Sequence, residues 1–154
     1  MLSPVFIEDQ VTTFNTQRVL SAPPSAVFHA IQKADRLARW WGPAGFTNTF
    51  DVFEFRNGGR WQFNMIGPDG TTYPNQSIFV LIDPDRQVVI EHVNQPHFRL
   101  TIALEPANDG TLLHWSQVFI DDSVGKALAD MVTVANEQNL DRLTVELNFG
   151  NAHA

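Results

Sequence analysis

Five histidines are the side chains of this sequence best suited to move a proton near neutral pH: His29, His92, His97, His114 and His153, since an unperturbed imidazole titrates near pH 6.5. Their spacing decides what they could do. A metal centre needs three or four clustered ligands, and neither HExxH nor an equivalent spacing occurs. The absence of cysteine removes disulfides, thiolate metal sites and cysteine nucleophiles together. There is no GxSxG elbow and no sequence-local serine for an imidazole to activate. Asn57-Gly58-Gly59 lies between two strand patterns rather than before a helix, so it reads as a tight turn and not a phosphate cradle. What survives is acid/base chemistry, with His92 as the proton shuttle and Gln117 or Gln138 orienting a carbonyl. No inward carboxylate is evident to tune it.

The elements that would position these three residues follow from periodicity. Successive side chains in a strand point to opposite faces. In 60–66, Trp61, Phe63 and Met65 share the apolar face; in 88–93, Val88, Ile90 and His92 oppose Val89, Glu91 and Val93. Phe98, Leu100, Ile102 and Leu104 form the next inner row, and Leu113, Trp115, Gln117 and Phe119 the last. His92 and His97 flank one turn and fall on opposite faces. The turns Asn57-Gly58-Gly59, Pro68-Asp69-Gly70, Asp83-Pro84-Asp85, Asn94-Gln95-Pro96 and Asn108-Asp109-Gly110 separate six strands, most simply an antiparallel meander.

Before the meander, 11–20 reads as a strand that Ala22-Pro23-Pro24 ends, presetting a helix start. Two short helices follow, at 24–32 and 35–41. The second ends in Trp40-Trp41-Gly42-Pro43, a fold-defining corner at one mouth of a cavity, with at most one indole reaching a ligand. After the meander, Asp121-Asp122-Ser123 offers N-cap groups, and Val124, Leu128, Met131, Val132, Ala135, Leu140, Leu143 and Leu147 continue at helical steps. A single helix from Ser123 to about Leu147 would run roughly 37 Å at 1.5 Å per residue, enough to cross the sheet. Arg18 and Arg56 read as structural, their heads paired with carboxylates such as Glu54. Phe79, Val89 and Val93 are expected on the outer face.

The chain has 154 residues and a formal net charge of −7, enough length for one domain with a real core. Residues 1–10 read as a lead-in segment and 11–150 as the domain. No basic stripe could neutralise phosphates, which excludes nucleic acid as a partner. No apolar run approaches the 18 or so residues of a membrane span, and no signal peptide is evident. The cysteine-free composition points to a cytoplasmic address.

The order strand, two short helices, six strands and a long C-terminal helix resembles the helix-grip fold of the START-like, or SRPBCC, superfamily. RVLSAPP at 18–24, RWWGPAGF at 39–46, EFRNGGRWQF at 54–63, Asp83-Pro84 and the closing Leu140-Asp141-Arg142-Leu143 are similar to motifs of the family homologous to the activator of the heat-shock protein 90 ATPase. The resemblance covers about residues 12–147. It departs where Glu54 stands for a common aspartate, and where Ala135-Asn136 replaces a Gly-Trp pair, which leaves Asn136 beside Gln138 and re-shapes the pocket. It implies an α+β fold, a curved antiparallel sheet of six to seven strands wrapped on the C-terminal helix, and either a ligand cavity or a chaperone contact.

Three functions are carried forward. The favoured one is binding of a mainly apolar or aromatic small molecule between sheet and helix, lined by Trp61, Phe63, Met65, Ile90, His92, Phe98, Leu100, Trp115, Gln117, Phe119, Met131, Ala135 and Gln138, with no cofactor. The second is a chaperone co-factor or other interaction module presenting Trp40, Trp41 and Pro43. The third, an acid/base enzyme of cyclase or dehydratase type, would turn on His92. A monomer and a homodimer are both compatible with the edge strand and outer apolar residues.

Overall fold

The computed structural model describes residues 12–152; the lead-in segment and His153 lie outside them. Strand β1 (Thr12–Leu20) leads into helices α1 (Pro24–Gln32) and α2 (Ala34–Trp40). The meander follows as β2 (Thr47–Phe53), β3 (Arg60–Ile66), β4 (Thr72–Asp83), β5 (Gln87–His92), β6 (Phe98–Ala107) and β7 (Gly110–Phe119). Helices α3 (Asp122–Ala127) and α4 (Ala129–Ala152) close the chain. The strands form one seven-stranded antiparallel sheet in the order β1-β7-β6-β5-β4-β3-β2. This is an α+β helix-grip architecture. Pro24 occupies the first turn of α1, where its missing N–H is no loss.

Alternation places the core. Along β7 every second residue from Thr111 to Phe119 is buried, and in β5 and β6 Val88, Ile90, His92, Leu100, Ile102 and Leu104 are buried. Register aligns these into rows across the sheet. Ile90 pairs with Leu100, and Leu100 with Gln117; Ser77 pairs with His92, and His92 with Phe98.

Three expectations are corrected. The single C-terminal helix is broken at Leu128, whose φ of −98° and ψ of 2° leave the helical region. The break separates a short first turn, capped by Asp121 accepting from Ser123 N at 3.0 Å and packed so closely on β1 that a Cβ at Gly125 would lie 2.6 Å from Thr12 Cβ, from the helix that crosses the sheet. Phe79 is fully buried rather than outward: it pairs with Ile90 in phase with inward Ser77, and the register shift between Phe79 and Leu81 changes the alternation only for the rest of β4. Val89 is buried as well, while Val93 is exposed, so of the three outer residues offered for a homodimer contact only Val93 presents free apolar surface.

Candidate functional site

The sheet and α4 do not meet everywhere. A cavity of about 500 Å³ lies between them, within the usual 300 to 1,000 Å³ of small-molecule sites. Strands supply Phe63, Met65, Asn75, Ser77, Ile90, His92, Phe98, Leu100, Trp115 and Gln117; α4 supplies Ala135, Asn136 and Asn139. Trp41, Gly42 and Pro43 border it, as do the first residues of β4 at 72–74 and the β5–β6 connection at 94–96.

The floor is aromatic. Trp61 is fully buried, stacked on Phe63 at 4.1 Å between ring centroids and on Phe79 at 5.5 Å. Trp41 meets Trp61 edge-on at 5.1 Å and lies 5.9 Å from Trp115. Rings so arranged fix one another, because offset-stacked and edge-to-face pairs each add about 0.5 to 1.5 kcal/mol beyond burial. The indole N–H groups of Trp61 and Trp115 have no hydrogen-bond partner among the described residues.

Of the two corner tryptophans, Trp40 is fully buried, its Nε1 donating to Ala30 O at 3.0 Å, and Trp41 is 8% exposed. The exposed apolar patch expected of an interaction module at Trp40, Trp41 and Pro43 is therefore absent; the corner faces inward. Its backbone is held by Arg142. That guanidinium donates to the carbonyls of Arg39, Trp41, Gly42, Pro43 and Phe46 at 2.8 to 3.1 Å. Asn139 Nδ2 donates to Trp40 O at 2.8 Å, and Gln138 Oε1 accepts from Ala44 N at 3.1 Å. Helix α4 thus fixes one lip of the cavity from Gln138 to Arg142.

The opposite lip is tied by His92. Its ring stacks on Phe98 at 4.7 Å, with Nδ1 2.7 Å from Pro96 O and Nε2 2.7 Å from Asn75 Oδ1. Asn75 Nδ2 donates in turn to Tyr73 O at 2.8 Å. Burial pushes the His92 imidazole below its ordinary value, and the hydrogen bond to Pro96 only partly offsets this. A carbonyl can only accept, so the neutral ring carries its proton on Nδ1 and donates it to Pro96 O. Nε2 then holds a lone pair, which Asn75 Oδ1, itself only an acceptor, covers at 2.7 Å without donating to it. Asn94 completes the tie, accepting from Gln76 N and donating to Pro74 O, each at 2.9 Å.

Gln117 sits one row inward and is 8% exposed. Its Oε1 accepts from Asn136 Nδ2 at 3.0 Å, so the residue standing at the Asn136 position bridges helix to sheet across the cavity. No Asp, Glu, Lys or Arg lines the wall among the described residues. Metal chemistry finds no footing there either, since no group of three or more His, Asp or Glu ligands is assembled among the described residues.

The structure brings together Phe63, Met65, Ile90, His92, Phe98, Leu100, Trp115, Gln117 and Ala135. Four other expected residues do not border the cavity. Trp61 lies behind Phe63; Phe119 packs on Phe14 and Phe98 beyond the rim. Met131 is 62% exposed: the buried stripe of α4 runs through Val132, Asn136, Leu140, Leu143 and Leu147, and one residue back from Val132 is about 100° round the helix. Gln138 is two residues past Asn136, about 200° round, and serves the lip instead. Sequence reasoning missed Asn75, Ser77 and Asn139. Asn75 and Ser77 share the inner face of β4, but the polar run Thr72 to Ser77 carries no apolar alternation that would reveal it.

Comparison with known proteins agrees with this architecture. Residues 21–148 match the family model described as Activator of Hsp90 ATPase homolog 1-like protein. The chain belongs to that family. Among solved structures it is similar to protein CV1439 from Chromobacterium violaceum, with 24% identity, 87% of this chain and 96% of that chain covered, and a TM-score of 0.78. It is also similar to protein NE0264 from Nitrosomonas europaea, with 19% identity, coverage of 91% and 96%, and a TM-score of 0.83. A protein from Arthrobacter aurescens shares 22% identity, coverage of 88% and 86%, and a TM-score of 0.82. These likenesses show the helix-grip fold. No curated protein matches the chain. Family and fold together indicate a domain of ligand-binding or co-chaperone type, and no described helix is long and apolar enough to cross a membrane.

Proposed function

We propose that this protein binds a mainly apolar small molecule in the cavity between the sheet and α4. The observation that carries the reading is a preformed space of about 500 Å³ with an aromatic floor and a few uncharged polar groups on its walls, the usual make-up of such sites. Phe63, Trp41 and Trp115 provide ring faces for stacking, and Gln117 provides orientation.

Two observations favour this reading over its rivals. A chaperone contact through the tryptophan corner needs exposed anchors, and both indoles are buried. Acid/base turnover by His92 needs a ring nitrogen free to reach substrate; Nδ1 is held by Pro96 O and Nε2 is covered by Asn75 Oδ1 at 2.7 Å.

Native mass spectrometry of the protein purified from its own host is the direct test. A retained neutral organic molecule is the expected result. A protein that arrives empty and also binds no member of a panel of small aromatic probes would overturn the reading.

A further inference from the structure

Resting on that binding reading, the wall chemistry narrows the class of molecule. We infer that the cavity takes a neutral ligand whose ring-containing apolar body carries one acceptor oxygen, a ketone or the like, seated on Gln117 Nε2, and that it rejects the carboxylate of the same skeleton.

Three features support this. The first is the absence of charge. None of the wall side chains is an aspartate, glutamate, lysine or arginine, and the one imidazole donates its Nδ1 proton to Pro96 O. A carboxylate brought inside would lose its hydration and meet no cation, whereas a neutral oxygen loses much less.

The second is the set of the Gln117 amide. Asn136 Nδ2 donates to Gln117 Oε1 at 3.0 Å, which turns the other end of the amide, the Nε2 donor, away from Asn136. Gln117 is nine-tenths buried and borders the cavity, and its Nε2 makes no hydrogen bond among the described residues while keeping some accessible surface. A buried donor with open space before it calls for an acceptor, either water or a ligand oxygen.

The third is position. Gln117 lies between Leu100 and Phe14 in register, with Trp115 two residues back on the same face. An oxygen on Nε2 leaves its attached body against Leu100, Ile90 and Trp115.

The test uses three naphthalenes of nearly equal shape: 2-acetylnaphthalene, 2-isopropylnaphthalene and 2-naphthoate, titrated calorimetrically into the full chain at pH 7.5. Desolvation alone ranks the hydrocarbon first, so the expected order is diagnostic: the ketone binds about tenfold tighter than the hydrocarbon, the gain of one good neutral hydrogen bond, and the naphthoate binds weakest. Gln117→Leu should bring the ketone-to-hydrocarbon ratio close to one. Gln117→Glu keeps the oxygen that Asn136 holds, removes the amide donor and should do the same, so a folding defect in one variant leaves the other to decide. A hydrocarbon that matches or exceeds the ketone, a naphthoate as tight as the ketone, or a ratio unchanged in both variants overturns this inference while leaving the binding reading intact. Failure of all three probes to bind overturns both.

Discussion

Replacing Arg142 with alanine should destabilise the protein by about 3 to 5 kcal/mol, because it strips the donor from several part-buried carbonyls at once, each costing about 1 to 3 kcal/mol when left unpaired. Arg142 makes five hydrogen bonds to main-chain carbonyls between residues 39 and 46, four of them part-buried. Charged hydrogen bonds contribute about 1.5 to 3 kcal/mol each, so simple addition would give at least about 7; shared geometry and water replacing the exposed bond to Arg39 O reduce this. Burial pushes the Arg142 pKa below its ordinary value, and the converging carbonyls of the lip supply the compensating dipoles. For a chain of this size, about 1 kcal/mol shifts Tm by about 2 to 4 °C, so the melting temperature should drop by about 10 °C. Arg142→Lys should recover only part of the loss, because an ammonium has three donors and no planar fork. Since Gly42 and Pro43 border the cavity, ligand affinity should fall alongside stability. Calorimetric melting of the alanine variant within about 1 kcal/mol of the parent would refute the idea that α4 holds the lip through this side chain.

Two further outcomes follow from the same contacts. Burial alone would raise the Glu146 pKa, but hydrogen bonds from Arg39 and Arg36 overcome it and hold the carboxyl below its ordinary range. Its stabilisation is therefore complete above the unfolded value of about 4.3 and is lost as pH falls through the depressed folded value. Urea titrations of Glu146→Gln should show lower stability at pH 7 and a shallower acid-side decline; a parallel curve would contradict this. Gly42→Ala should cost about 1 to 3 kcal/mol in thermal melts, because Gly42 has φ +97° and an added Cβ would lie 2.6 Å from Met65 Cε; the flexible methionine can yield, so strain at positive φ decides the sign.

Most of the frame is legible in the sequence because turn chemistry and period-two alternation are local. Trp61, Ile90, Leu100 and Trp115 declare their face by spacing alone, and Asp121 declares a cap. Where the reading went astray, the deciding interaction was non-local. Phe79 lies inward in phase with Asn75 and Ser77, whose polar side chains do not mark an inner face, and the bulge after it puts the apolar run Val80 to Ile82 out of step with it. Met131 and Gln138 fell off the core stripe because the apolar residues of the closing segment span too wide an arc to fix its rotation; buried Asn136, Asn139 and Glu146 occupy the true face, and each is polar. Their partners, Gln117, Trp40 O, Arg36 and Arg39, come from elements 19 or more positions away. Asn75 and Ser77 were hidden for the same reason: a polar residue on an inner face looks like a surface residue until register places it opposite Phe63 or His92.

If the space beneath α4 holds the ligand, filling that space with a larger side chain must displace it. Leu100 is 1% exposed and lines the cavity from mid-sheet, and strand geometry keeps its side chain directed inward. Leu100→Trp should fold, with melting lowered by overpacking of about 1 to 3 kcal/mol, and should weaken calorimetrically measured binding of 2-acetylnaphthalene by at least about tenfold. Equal affinity in the parent and the filled variant would place the ligand elsewhere and contradict the account.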